Sequence, residues 1–95
     1  MPVTSILDLQ FKPDEVDTAK ALLDRVLAET RAYDGCLGVE VVQDVNDPAH
    51  LIAIETWESV EQDTAYRAWR AGEGAITDLP PLLAGAPRLA VCQPV

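Results

Sequence analysis

Residues 37–57 read LGVEVVQDVNDPAHLIAIETW, and this stretch decides the fold. Its two ends, LGVEVVQD (37–44) and HLIAIETW (50–57), are rich in β-branched and apolar residues and read as strands. Between them lies Val45-Asn46-Asp47-Pro48-Ala49, whose Asn, Asp and Pro supply turn chemistry. The pair predicts a β-hairpin. Just beyond it, Ser59 is followed three residues later by Gln62, the pattern of a capping box, which opens a helix over about 60–71. Asp63 and Arg67 stand one turn apart and support that helix, and Gly72 and Gly74 stop it.

Upstream, Lys12-Pro13-Asp14-Glu15 is a helix start, with Pro in the first turn and acids at the positive end of the dipole. Val16, Ala19, Leu23, Val26, Leu27 and Thr30 follow at helical spacing as one apolar stripe. Asp34-Gly35 ends the helix, because Gly accepts the left-handed conformation of a helix stop. Before it, VTSILDLQF (3–11) alternates as a strand. After the second helix, residues 75–85 hold Pro80-Pro81 and Leu79, Leu82 and Leu83, a loop with a short helical turn. A last strand, RLAVCQ, follows Pro87.

The order βαββαβ predicts a ferredoxin-like α+β fold, a four-stranded antiparallel sheet with both helices on one face. One sheet face carries Val3, Leu7, Leu9, Val39, Val41, Leu51, Ala53, Leu89 and Val91, with Ser5 among them. The other still carries Ile6, Val42, Ile52, Ile54, Ala90 and Cys92. A sheet with water on one side alternates more cleanly than this. The second face therefore predicts a cover, and another copy of the chain in a symmetric dimer is the cover expected. The alternation alone leaves open which face meets the helices.

Ninety-five residues make one domain, 1–95. With 48% hydrophobic residues and a mean hydropathy of +0.05 the chain should fold. Seven Lys+Arg stand against sixteen Asp+Glu, a net charge of −9. No positive footprint exists for nucleic acid or for an anionic membrane surface. There is no 18-residue apolar run and no export signal at the N-terminus, so a soluble cytoplasmic domain is expected. Cys36 and Cys92 are too few for a disulfide framework and read as small buried hydrophobes. A single His, His50, cannot build a His-rich metal site, and beside its turn it is expected to be exposed and idle. No metal ligand set is expected.

No nucleophile elbow, P-loop or dinucleotide fingerprint is present. What stands out is a cluster of aromatic and polar residues: Glu55, Trp57, Tyr66, Trp69 and Arg70. Tyr66 and Trp69 share a helix face, with Arg70 a turn beyond Tyr66. Such a face can line a pocket that stacks a flat ring, with Tyr66 and Arg70 bonding its oxygens. The same spacing also serves plain core packing, and Arg70 could equally pair with a surface acid. Glu55 shares a strand face with Ala53 and Trp57, where a carboxylate is unexpected. It either accepts a substrate proton or pairs with an Arg at the dimer interface.

Four segments carry a resemblance: TRAYDGCLG (30–38), DVNDP (44–48), ETWES (55–59) and AYRAWR (65–70). Nearly end to end, the chain resembles the antibiotic biosynthesis monooxygenase domain, of the dimeric α+β barrel class. The resemblance implies a homodimer whose two sheets face each other, and a pocket in each subunit between sheet and helices. Members of this kind include monooxygenases that oxidise aromatic polyketides to quinones without metal or flavin, so no cofactor is expected. It further implies Tyr66 and Arg70 as catalytic residues that orient or deprotonate the substrate, and Trp57, Trp69 and Glu55 as substrate-binding residues. Haem-degrading relatives need a His after the second helix and an Asn on the first strand; GAITDL (74–79) and VTSILDLQF offer neither. Two functions stay open: an oxygenase for a small electron-rich aromatic of polyketide or quinol type, and a non-catalytic dimeric module that binds a hydrophobic ligand or assists another enzyme.

Overall fold

The expected hairpin forms with a tighter turn than the sequence suggests. The computed structural model describes residues Met1–Val95. In it β2 (Cys36–Asp44) and β3 (Asp47–Trp57) leave only Val45 and Asn46 between them. Asp47-Pro48-Ala49, read as turn, belongs to β3. The Asp44 and Asp47 carboxylates explain this, since each accepts a backbone N–H two residues on, from Asn46 at 2.8 Å and Ala49 at 3.0 Å. β1 (Val3–Gln10) and β4 (Arg88–Cys92) complete an antiparallel sheet of order β2-β3-β1-β4, the ferredoxin-like α+β arrangement.

α1 (Val16–Ala32) follows a 3-10 turn at Pro13–Glu15. It ends before Gly35, whose φ of +89° is the chain's only left-handed residue. α2 (Val60–Arg70) starts at Ser59, whose side chain accepts the Gln62 amide as the capping box requires. Both helices lie on the face of Val3, Ser5, Leu9, Leu51, Ala53, Glu55 and Trp57, all buried. Two clusters fill the space between. Leu9, Phe11 and Leu51 meet Ala19, Leu23 and Leu27 of α1, closed by Leu79, Leu82 and Leu83 of the loop before β4. Val3, Trp57 and Tyr66 form the other, with Tyr33 and Trp69 against it.

The helix layer does not reach both edges of the sheet. The edge strands keep bare patches on the helix side, at Val41 of β2 and at Leu89 and Val91 of β4. The opposite face has no cover at all: the molecule is a slab 20 Å through its thinnest axis, one sheet and one helix layer. Ile6 and Val42 there are 37% and 40% exposed, and Ala90 is exposed beside Ile6 in the register.

His50, expected to be idle, is half-buried on this open face between two carboxylates. Its Nε2 lies 2.7 Å from Asp8 Oδ1 and its Nδ1 2.9 Å from Asp44 Oδ2. The bond to Asp44, then that to Asp8, holds the imidazole above its ordinary 6.5, and the same contact holds Asp44 below 3.8. A raised His stabilises the fold fully below the unfolded value and loses that contribution as pH climbs through the folded one. The lowered Asp44 contributes above its unfolded value and fades as pH falls. The gap in unfolding free energy between the protein and His50→Asn should therefore be widest near ~pH 5–6 and narrow by ~pH 9. Urea titrations at both pH values check this; an unchanged gap would show that the contact carries no linkage.

Candidate functional site

Three aromatic residues between 57 and 69 come together with Tyr33 where β3, α1 and α2 end. Trp57 and Tyr66 have ring centroids 4.9 Å apart, Tyr33 stands edge-on to Tyr66 at 5.2 Å, and Trp69 lies 5.3 Å from Tyr33. Offset and edge geometries of this kind add to the burial of the rings. Trp57 and Tyr66 are 0% and 3% exposed. The Arg70 guanidinium covers Trp69 at 4.5 Å.

Hydrogen-bond polarity in this cluster follows from counting protons. Thr30 donates its only hydroxyl proton to the Val26 carbonyl at 3.1 Å. Tyr66 must therefore donate to Thr30 Oγ1, 2.6 Å away, and it accepts from Arg70 Nε at 2.7 Å. The remaining Arg70 donors reach the Glu29 carboxylate, the Gly74 carbonyl, the Val26 carbonyl and Thr30 Oγ1, at 3.1–3.4 Å. A guanidinium has five N–H groups, and all five are occupied. Arg70 thus ties α1, α2 and the turn after α2 into one piece. Gly74 is fitted to that turn: a Cβ built there would stand 2.4 Å from the Trp69 indole.

A second polar network lies between β3, β1 and α2. Glu55 accepts the Trp57 indole N–H at 3.0 Å and Arg67 Nη2 at 2.5 Å. The same Arg67 nitrogen reaches Asp63 at 3.1 Å, and Asp63 accepts the Ser5 hydroxyl at 2.8 Å. Glu55 is 1% exposed and Asp63 3%. Glu55 therefore pairs with an arginine of its own chain, Arg67. It faces the helices, whereas the uncovered face of the sheet lies on the other side. Arg67, Asp63, Ser5 and Thr30 were not singled out by the sequence as site residues. The one available signal was polar Ser5 in the apolar row Val3, Leu7, Leu9.

Three clefts border these elements. One, of about 640 Å³, is walled by Ile76, Leu79, Pro80 and Leu83 with Arg70 at its edge. A smaller one, about 210 Å³, touches Trp69 and Arg70. The third, about 440 Å³, lies between α1 and β2 and includes Leu23, Leu27 and Val41. Of the residues expected to meet a ligand, Trp69 and Arg70 border open space. Trp57, Tyr66 and Glu55 line none of these clefts, because their rings and polar atoms are spent on one another. Of the five, the structure thus sets two at open space and three in the packed interior. Cys36 and Cys92 are half-buried free thiols, and burial pushes Cys36 above its ordinary 9.0, which leaves it protonated at neutral pH. No three His, Cys, Asp or Glu side chains converge as metal ligands. No helix is long and apolar enough to cross a membrane.

An antiparallel sheet of this order, with two helices on one side and an aromatic cluster locked between them, defines a ferredoxin-like α+β protein. The model of the antibiotic biosynthesis monooxygenase family matches residues 2–75, and the chain belongs to that family. Solved structures repeat the fold. Rv0793 from Mycobacterium tuberculosis superposes with a TM-score of 0.84 at 24% identity, over 100% of this chain and 96% of its own. An antibiotic biosynthesis monooxygenase superposes at 0.85 and 19% identity, over 98% of each chain. A conserved protein from Methanosarcina mazei Go1 gives 0.86 and 18%, over 98% and 92%. No curated protein matches the sequence.

Proposed function

We propose that this chain is a monooxygenase working without metal or flavin on a small electron-rich aromatic of polyketide or quinol type. Family membership over residues 2–75 supports the reading, and the 640 Å³ apolar cleft bordered by Arg70 is the opening that best suits such a substrate. For an anthrone-like substrate the reaction balances without an external reductant. A ring CH₂ and O₂ become C=O and H₂O, one oxygen atom entering product and the other leaving as water. The phenolate supplies the first electron to oxygen. Ile76, Leu79 and Leu83 give the cleft an apolar wall, against which a flat ring can pack. Arg70 has no N–H left to donate, so its contribution is its positive charge, which favours the phenolate over the phenol. Trp69 carries the cation on its ring, Tyr66 accepts from Arg70, and Trp57, bonded to Glu55, packs on Tyr66. The partner is a second copy: the apolar face of Ile6, Val42, Ile52, Ile54 and Ala90 packs on its twin, giving a homodimer.

Oxygen uptake in air with a panel of anthrones and quinols tests the activity. Uptake above buffer, lowered in Arg70→Gln, is expected; uptake equal to buffer across the panel ends the oxygenase reading. One observation favours the non-catalytic alternative, since no general base borders the cleft. In that case the same aromatics bind without turnover. Sedimentation gives the assembly: a mass near 10.3 kDa, rather than about twice that, would refute the dimer.

A further inference from the structure

We infer that the cleft between α1 and β2 is a second binding site, selective for an apolar monocarboxylate. It is remote in sequence from the Arg70 cleft and stands independently of the oxygenase reading. Its origin is geometric. α1 passes over the first half of β2, where Val39 packs against the core, but nearer the hairpin Val41 is left exposed, and a cleft of about 440 Å³ opens there. That is the size range of sites for small organic ligands. The floor is Leu23, Leu27, Val41 and Leu51, of which Val41 is exposed.

Charge at the rim sets the ligand class. Lys20, Asp24, Leu27 and Arg31 stand at i, i+4, i+7 and i+11, one face of α1. The chain has seven basic residues against sixteen acids, and two of the seven border this cleft. Neither forms an ion pair: the arginines that do are Arg25, Arg67 and Arg70. Arg31 spends one Nη2 proton on the Val39 carbonyl at 3.1 Å. That bond fixes the guanidinium over the β2 edge and leaves its other donors free, a fork suited to a carboxylate. Lys20 is about 16 Å along the helix from Arg31 and has Asp24 one turn away, so that end is close to neutral. A ligand with one anionic end at Arg31 and an apolar body over the leucines matches both ends; a dianion or a cation does not.

The test is calorimetric titration of the protein with decanoate below its micellar concentration, beside decanol and decylamine. Decanoate should bind about tenfold or more tightly than decanol, as a charge-assisted hydrogen bond implies, and decylamine more weakly than either. Arg31→Gln should reduce decanoate to the decanol level. Val41→Trp, at an exposed edge position that leaves the core intact, should fill the cleft and abolish binding of both, with the circular dichroism spectrum unchanged. Equal binding of decanoate and decanol, or full binding by the folded Val41→Trp protein, would overturn the assignment.

Discussion

Arg67→Met is expected to lower the free energy of unfolding at neutral pH by about 3–5 kcal/mol. Arg67 is the only cation paired with Glu55 and Asp63, both almost wholly buried. With it, the site already holds one negative charge more than positive. Without it, two carboxylates face each other in a poorly solvated space, and removing one member of a buried ion group costs far more than the group was worth. The Arg67 Nε, buried with no acceptor, returns only a part of that loss when removed. Two further readouts identify the mechanism. Adding Glu55→Gln and Asp63→Asn to Arg67→Met should restore most of the loss, because no charge is then stranded. The single variant should also lose less at ~pH 5 than at ~pH 7, since an unpaired buried carboxylate titrates high and regains its proton on acidification. Urea denaturation at the two pH values measures both; a pH-independent loss without rescue would point to packing alone.

The second large effect is expected from Trp57→Ala, again about 3–5 kcal/mol. Its indole is fully buried, stacked near Tyr66 and edge-on to Tyr33 at 6.2 Å, and its N–H is one of the bonds that hold Glu55. Truncation leaves a void at the centre of the aromatic cluster and removes one of the two donors to Glu55 Oε1, which keeps its bond to Arg67. Trp57→Phe keeps most of the ring contact and loses the hydrogen bond, so it should cost about 1–2 kcal/mol. Against a total stability on the order of 5–10 kcal/mol for a domain of this size, the two variants separate easily in a thermal melt. Similar losses for both would mean that the indole N–H, not the packing, is what matters.

How far the sequence carried the structure can be seen at single positions. Gly35, Ser59 with Gln62, and the apolar spacing of α1 each specify a backbone state locally, and each element formed where that local chemistry placed it. The two apolar sheet faces were legible because strand parity is preserved over a whole strand. The face that takes the helices was not, since Ile6, Val42, Ile52 and Ile54 on the open face are as apolar as Leu9, Leu51 and Ala53 on the covered one. The aromatic and arginine cluster was visible as a group, but its direction was not. Whether Tyr66 points into a cavity or at Thr30 depends on a residue 36 positions away, which spacing along one helix does not encode. His50 failed for the same reason: its partners Asp8 and Asp44 come from other strands. The cleft beside α1 had no sequence signal at all, because it is a shortfall of coverage and no residue type marks an absent neighbour.

The close approach of Gly74 to the Trp69 indole constrains how this lineage can drift. A methyl group at position 74 and a full bicyclic ring at 69 exclude each other, so neither site can change freely while the other stays as it is. Homologues that have acquired a side chain at 74 should carry a smaller residue at 69, and this reciprocal pairing would show up as covariation between two alignment columns five apart.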